Sequence, residues 1–260
     1  MFVVIDMKSF HDVYTNLLNK LYQDDIQSQR YYLQFVADNR QIPIDYLLKI
    51  KAVFVPNDNY LHYYGGDEIL NPNYDLYFDR SCKWTHFLLI PIRDLSKNIV
   101  GVVGWDINHK ARAEDGEKGL EMYRTSSKVV MNKIHHFLTD VDVIESTFNK
   151  GVLFVVDGVF DAVSLNSIGI PTIALLGSNT STTLYYFLRW YSYIYVIPDN
   201  DSAGSNLLKR LKQAVPNVYG IFQSKTKDID ELLRLNPDTT KKQLFSLMRD
   251  PIHGDVYLKA

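Results

Sequence analysis

Residues 151–161 read Gly151-Val152-Leu153-Phe154-Val155-Val156-Asp157-Gly158-Val159-Phe160-Asp161. About forty residues on comes Tyr193-Ile194-Tyr195-Val196-Ile197-Pro198-Asp199-Asn200-Asp201-Ser202-Ala203-Gly204, and Lys227-Asp228-Ile229-Asp230-Glu231 closes the stretch. The first two are continuous apolar runs that stop at a carboxylate and lead into helical spacing. Such runs suit strands buried on both faces. A parallel sheet presents its ligands at the carboxyl ends of its strands, so three acidic clusters are expected at one rim. Carboxylates grouped without His or Cys are hard oxygen ligands and suit Mg²⁺ or Mn²⁺ held together with phosphates.

The alternation continues outward. Strands are expected at 152–156, 171–176, 193–197 and 218–222, with helices near 160–167 and 182–190 and from Ala203. This is the pattern of a parallel α/β sheet flanked by helices. Upstream, Phe10, Val13, Tyr14, Leu17, Leu18 and Leu21 give an amphipathic helix over 9–22 with Ser9 as a candidate N-cap. A second helix is expected over 28–37 and a third from Pro43 to Ile50, then a short strand at 53–55. Strands at 86–92 and 99–105 flank the polar turn 93–98, which predicts a β-hairpin, and Gly101 and Gly104 predict a bulge or a close backbone approach. Residues 57–75 and 109–119 read as loops, and 128–138 and 140–148 as short helices. The expected organisation is α/β: a mixed N-terminal subdomain over 1–145, a second domain bearing the acidic clusters over 146–235 and a C-terminal helical tail over 236–260.

Composition sets the class. The chain has 260 residues, 46% of them hydrophobic, and a net charge of −2, so any nucleic-acid binding must come from local basic patches. The one cysteine, Cys82, excludes an internal disulfide and fits a reducing compartment. No run of eighteen apolar residues exists and the first residues do not read as a signal peptide, so an intracellular protein without a membrane segment is expected.

Asp157 and Asp161 are four apart across a turn into a helix, and Gly158 would let the chain bend after the first carboxylate. Asp199 and Asp201 are two apart in a loop, where both can reach one cation. Asp228 and Asp230 repeat that spacing. Each of these residues also suits an N-cap.

The arrangement resembles the TOPRIM domain shared by bacterial-type (DnaG-like) DNA primases, topoisomerases and some nucleases. Val155-Val156-Asp157-Gly158-Val159-Phe160-Asp161 stands where the family has Val-Glu-Gly-Tyr-x-Asp. Asp199-Asn200-Asp201-Ser202-Ala203-Gly204 is similar to the primase Asp-Gly-Asp-x-Ala-Gly, and Lys227-Asp228-Ile229-Asp230 to Lys-Asp-Pro-Asp. Gly169 to Ser178 resembles another primase run. Upstream, Phe78-Asp79-Arg80, Leu89 to Asp94 and Ile99 to Gly104 resemble the stretch before the TOPRIM domain. Tyr123, Ser126 and Lys133 extend the likeness, which covers roughly residues 25–235. The chain departs from the pattern at Asp157 (Glu in the family), Trp105 (a basic residue) and Met122 (Lys). One cysteine cannot supply a zinc ribbon.

The resemblance implies a DNA primase, a nucleotidyltransferase making short RNA primers on single-stranded DNA from ribonucleoside triphosphates. Its catalytic residues would be Asp157, Asp199 and Asp201. Asp157, Asp199, Asp201, Asp228 and Asp230 would hold Mg²⁺ or Mn²⁺. Asp157 would serve as ligand or as base, and Asp161 would either join the site or cap its helix. Arg80, Lys83, Arg93 and Lys133, with Arg124 and Lys128, are candidate template contacts, and Trp105 either stacks a base or packs in the core. A replicative helicase is the implied partner and the cytoplasm the implied location, that of a bacterial host if the small size marks a phage version. The alternatives are a TOPRIM nuclease and a non-catalytic nucleic-acid-binding remnant.

Overall fold

The computed structural model describes residues 10–56, 87–107, 114, 123–125, 140–147, 151–176, 182–223 and 226–259. The expected loop at 57–75 and helix at 128–138, and also Arg80, Cys82, Lys83, Met122, Ser126, Lys128 and Lys133, lie outside them.

Three helices open the chain: α1 (Phe10–Asp24), α2 (Ile26–Arg40) and α3 (Ile44–Lys49). They pack on a four-stranded antiparallel sheet, β1 (Val53–Val55), β2 (Phe87–Arg93), β3 (Ile99–Asp106) and β4 (Tyr123–Thr125), in that order. The expected hairpin is β2–β3. Its register slips between Ile92, which faces Gly101, and Arg93, which faces Ile99, so Val100 is the extra residue of a bulge beside Gly101. Among the described residues β1 is the edge of this sheet, and a helix side chain meets it there. The fully buried Gln29 of α2 donates its Nε2 to the Phe54 carbonyl (2.8 Å) and accepts from the Phe54 amide (2.9 Å). A side-chain amide thus replaces a neighbouring strand there.

The second sheet has order β6-β5-β7-β8-β9, and every pair is parallel. Its strands are β5 (Val152–Val156), β6 (Thr172–Ala174), β7 (Tyr193–Val196), β8 (Val218–Gln223) and β9 (Val256–Leu258). Around it lie α4 (Val141–Thr147), α5 (Val159–Ser167), α6 (Thr182–Leu188), α7 (Ser202–Ala214), α8 (Ile229–Leu235) and α9 (Pro237–Arg249). Leu153 and Val155 face a core shared with α4, α6 and α7. Val152, Phe154 and Val156 face the opposite core, shared with α5, α8 and α9. Both faces are covered, which is why β5 and β7 read as unbroken apolar runs rather than alternating ones.

α5 joins the two sheets. Ala162 and Leu165 pack beneath the parallel sheet, while Val159, Phe160 and Val163 enter the core of the antiparallel unit with Leu33, Leu47 and Val103. A helix pressed from both sides must be apolar nearly all round, and residues 159–166 are all buried.

Two expectations about organisation are corrected. Residues 236–260 are not a helical tail. α9 buries Leu244, Leu247 and Met248 in the sheet's core, and β9 pairs with β8 as a fifth strand. The polar turn before β9 fixes it there. Asp255 accepts from the Gly220 amide (2.6 Å) and from Lys212, the Tyr195 hydroxyl bridges both main-chain groups of Ile252, and His253 lies between the hydroxyls of Tyr193 and Tyr219. The expected boundary at 145/146 cuts α4, whose Val141 and Ile144 already belong to the parallel sheet's core. Among the described residues no helix is long and apolar enough to cross a membrane.

Candidate active site

The chain leaves β5 toward β6 on one side and returns through β7 on the other. That reversal opens a crevice at the carboxyl ends of β5 and β7, the place where open α/β sheets bind ligands. Asp157 follows β5 directly. Asp199 follows β7 after Ile197, whose amide still bonds the Val155 carbonyl (2.9 Å), and Pro198. The Asn200 amide then donates to the Lys227 carbonyl (2.8 Å), which draws the loop before α8 against the loop after β7. Asp228 is carried with it.

Electrostatics shows the convergence. Burial pushes the half-buried Asp199 carboxyl up to about 6, and the charges of Asp157, Asp228 and Asp201 push the same way, against Lys227. Asp161 is held well above the usual carboxylate range, first by burial and then by Asp228, with Asp199 and Asp230 adding to it. The rim therefore carries surplus negative charge that a cation would relieve. Among the described residues no three His, Cys, Asp or Glu side chains are gathered closely enough to hold a metal alone. Mg²⁺ does not require that: it takes one or two carboxylates and completes its shell with water and phosphate oxygens. The all-oxygen donor set at this rim fits such an ion.

The acidic residues have divided tasks. Asp201 is the N-cap of α7, its Oδ1 accepting from the Gly204 amide (2.8 Å). Asp228 is the N-cap of α8, accepting from the Glu231 amide (2.8 Å), and Glu231 reaches back to the Lys227 amide (2.8 Å). Capping occupies Oδ1 in each, so the N-cap reading holds for both residues. Asp161 does not play the capping role, one of the two alternatives for it. It does not cap α5, whose N-cap Gly158 has no side-chain bond, and its Oδ1 instead accepts from the Asp230 amide (3.0 Å). Gly158 has an extended backbone (φ −86°), so no special turn demands glycine there. A Cβ there would crowd Oδ2 of Asp161, which would have to shift.

Asp230 is the correction among the expected metal ligands. It is 2% exposed, its Oδ2 is paired with Arg40 (2.8 Å), with Arg234 at 3.4 Å, and its Oδ1 accepts from the Ser164 hydroxyl (2.5 Å). Both oxygens are committed inside the protein. Arg93, an expected template contact, is turned inward too. Its guanidinium donates to the carbonyls of Ile50 and Lys97 (both 3.2 Å), burial lowers its pKa, and it shares a pocket with Lys49, Lys51 and Lys97 as well as Asp140 and Asp142. Arg124 lies on β4 opposite Gly104. Trp105 takes the packing role: it meets Phe160 edge-on at 4.7 Å with the Arg40 guanidinium over its ring.

Leu176 was not singled out by its sequence context. It lies just beyond β6 with φ 52°, a left-handed conformation costly for a leucine, and its amide bonds the Asp157 carbonyl (3.0 Å). That bond fixes the main chain on which Asp157 stands.

Residues 154–233 match a family model described as Toprim-like. The fold is that of a DnaG-type primase catalytic core. The Aquifex aeolicus primase, solved as zinc-binding and RNA polymerase domains, superposes with TM-score 0.68 at 20% identity, over 92% of this chain and 60% of that one. This chain thus spans less than two thirds of that structure. A DnaG primase catalytic domain bound to ssDNA gives TM-score 0.68 at 20% identity, over 92% of this chain and 77% of that one. The RNA polymerase domain of Mycobacterium tuberculosis primase DnaG, in complex with double-stranded DNA bearing a 6-nucleotide overhang, gives 0.68 at 15% identity, over 92% and 80%. No curated protein matches. The primase-core fold accounts for both halves of the molecule, the antiparallel unit and the parallel sheet with its acidic rim.

Proposed function

We propose that this chain is a DNA primase, joining ribonucleotides on a single-stranded DNA template by divalent-metal-dependent nucleotidyl transfer. The observation that carries the reading is that the loops bearing Asp199 and Asp228 are joined by the Asn200–Lys227 main-chain bond beside the end of β5, at the strand-order reversal of the parallel sheet, near enough for the charges of Asp157 and Asp228 to act on Asp199. Phosphoryl transfer needs positioning and charge neutralisation more than a nucleophilic side chain, and this rim offers carboxylates. Asp199, Asp201 and Asp228 would hold Mg²⁺ or Mn²⁺, which supplies neutralisation of triphosphate charge when bound. Asp157 stands on the neighbouring strand as a further ligand or as acceptor of the 3′-hydroxyl proton. The template and ribonucleoside triphosphates are the substrates this assigns, with a replicative helicase as the partner the primase likeness implies.

Ribonucleotide incorporation on single-stranded template tests the reading. Primers support it, whereas shortened template marks a nuclease and no product marks a binding remnant. Substitutions at Asp157 sharpen the test. Its main chain is pinned by Leu176 and by strands on both sides, so the backbone cannot retreat. Asp157→Glu adds about 1.5 Å of reach into that fixed crevice. Misplacement on this scale costs on the order of a hundredfold in rate, so both Asp157→Glu and Asp157→Asn are expected to lower synthesis. Parent-like synthesis by Asp157→Asn would remove Asp157 from the site.

A further inference from the structure

Arg40 ends α2, far along the chain from the acidic rim, and its guanidinium is held on three sides. Trp105 and Phe160 lie under it at 4.8 Å and 4.4 Å from the ring centroids, and Nη1 meets Asp230 Oδ2 at 2.8 Å. Only 22% of the Arg40 side chain and 3% of the Asp230 side chain is exposed. Asp230 in turn takes the Ser164 hydroxyl on Oδ1, and its amide donates to Asp161. The first turn of α8 is thereby bound to α2 through Arg40 and to α5 through Ser164 and Asp161. Asp228, the N-cap of that same turn, is the acid whose charge acts on both Asp199 and Asp161.

We propose that Arg40 is a positioning residue for the acidic rim: clamped on Trp105 and Phe160, it neutralises and orients Asp230, and through the first turn of α8 it sets where Asp228 stands. The role rests on the metal-dependent reading above. Without Arg40, Asp230 would be a nearly buried carboxylate with Arg234 at 3.4 Å as its remaining cation. A buried charge in that condition draws in water or moves, and the short helix turn that carries it moves too. Lysine supplies a point charge but no planar fork to lie on two rings, so it replaces Arg40 only in part. The arrangement also gives Trp105 a purpose: it is the platform by which the antiparallel unit grips the loop that carries Asp228.

Two measurements on the full chain decide this. The first is amide hydrogen exchange without metal, which does not depend on activity. In Arg40→Gln the amides of Asp230 and Glu231 should lose protection, while that of Gly204 in the first turn of α7 keeps it. The second is Mn²⁺ affinity by electron paramagnetic resonance. It should fall about 10- to 100-fold, the usual cost of losing a group that orients a metal ligand, with Arg40→Lys between the parent and Arg40→Gln. Unchanged exchange in α8 overturns the proposal, and so does altered exchange with parent-like Mn²⁺ affinity, which would make the contact merely structural. Should Arg40→Gln fail to fold, Arg40→Lys decides by the same pair of readings, and parent-like affinity there overturns the proposal. A parent protein that binds no Mn²⁺ removes the metal reading itself and the role of Arg40 with it; loss confined to the variant upholds both.

Discussion

Asp199→Asn is expected to melt higher than its parent at pH 7.5 without metal, and to make no primers. The Asp199 carboxyl is pushed up to about 6 by burial, then by Asp157, Asp228 and Asp201. In the unfolded chain the same group titrates near 4. Between those values the folded state binds the proton more tightly, so stability falls as pH rises through the window, and the whole penalty is present above it. Asparagine removes the charge and the penalty. Asp199 is only half-buried, and solvent screening trims the effect to about 1 kcal/mol, or roughly 2–4 °C for a chain of this size. Below about pH 4 the two proteins should melt together. Adding Mg²⁺ or Mn²⁺ should raise the parent and leave the variant nearly unmoved. Synthesis should fall by more than the roughly hundredfold that losing a group behind a metal ligand costs. Equal melting at pH 7.5 would mean the carboxylates do not converge, and retained synthesis would take Asp199 out of the chemistry.

The frame of this site was legible because its signals are local. β5 and β7 are buried on both faces, so their apolar runs stand out, and each run ends at a carboxylate of the candidate site. Asp201 and Asp228 are caps, and capping is a short-range property that spacing reveals. What remained hidden depends on partners distant in the chain. Asp230 looked like Asp228 because the two-residue spacing is the same; only the fold brings Arg40 to it across 190 residues. Asp161 could be assigned to its own helix or to the site but not to the Asp230 amide, which comes from another helix. β9 is three residues long with mixed burial, and its place in the sheet is set by Asp255, Ile252 and His253 rather than by its own pattern. Gly158 does not serve the bend that its place suggested: its backbone is extended, and its nearest neighbour is the Asp161 carboxylate.

Gly204→Ala should do the most damage for the smallest change in atoms. Gly204 is buried in the first turn of α7, and its φ lies outside the positive range. On helix propensity alone, alanine would stabilise such a position by about 1 kcal/mol. Packing acts the other way. A Cβ there would stand 2.8 Å from the Asp199 amide nitrogen and closer still to the Asp199 carbonyl oxygen. Those are main-chain atoms of the site loop, held by the Asp201 amide on the Asp199 carbonyl and the Asn200 amide on the Lys227 carbonyl (both 2.8 Å), so they cannot rotate aside as a flexible side chain would. Either α7 lifts, straining the Asp201 cap on the Gly204 amide, or the loop moves and takes Asp199 with it. Overpacking of this kind costs about 1–3 kcal/mol, which outweighs the propensity gain. A shift of about 1 Å at Asp199 would lower synthesis on the order of a hundredfold. Urea unfolding and primer synthesis measured side by side check both halves, with the exposed Asn206→Ala on the same helix as the control in which propensity acts alone and stability rises slightly. If Gly204→Ala is also stabilised and fully active, α7 does not rest on the Asp199 peptide, and the close packing that places this carboxylate at the rim is wrong.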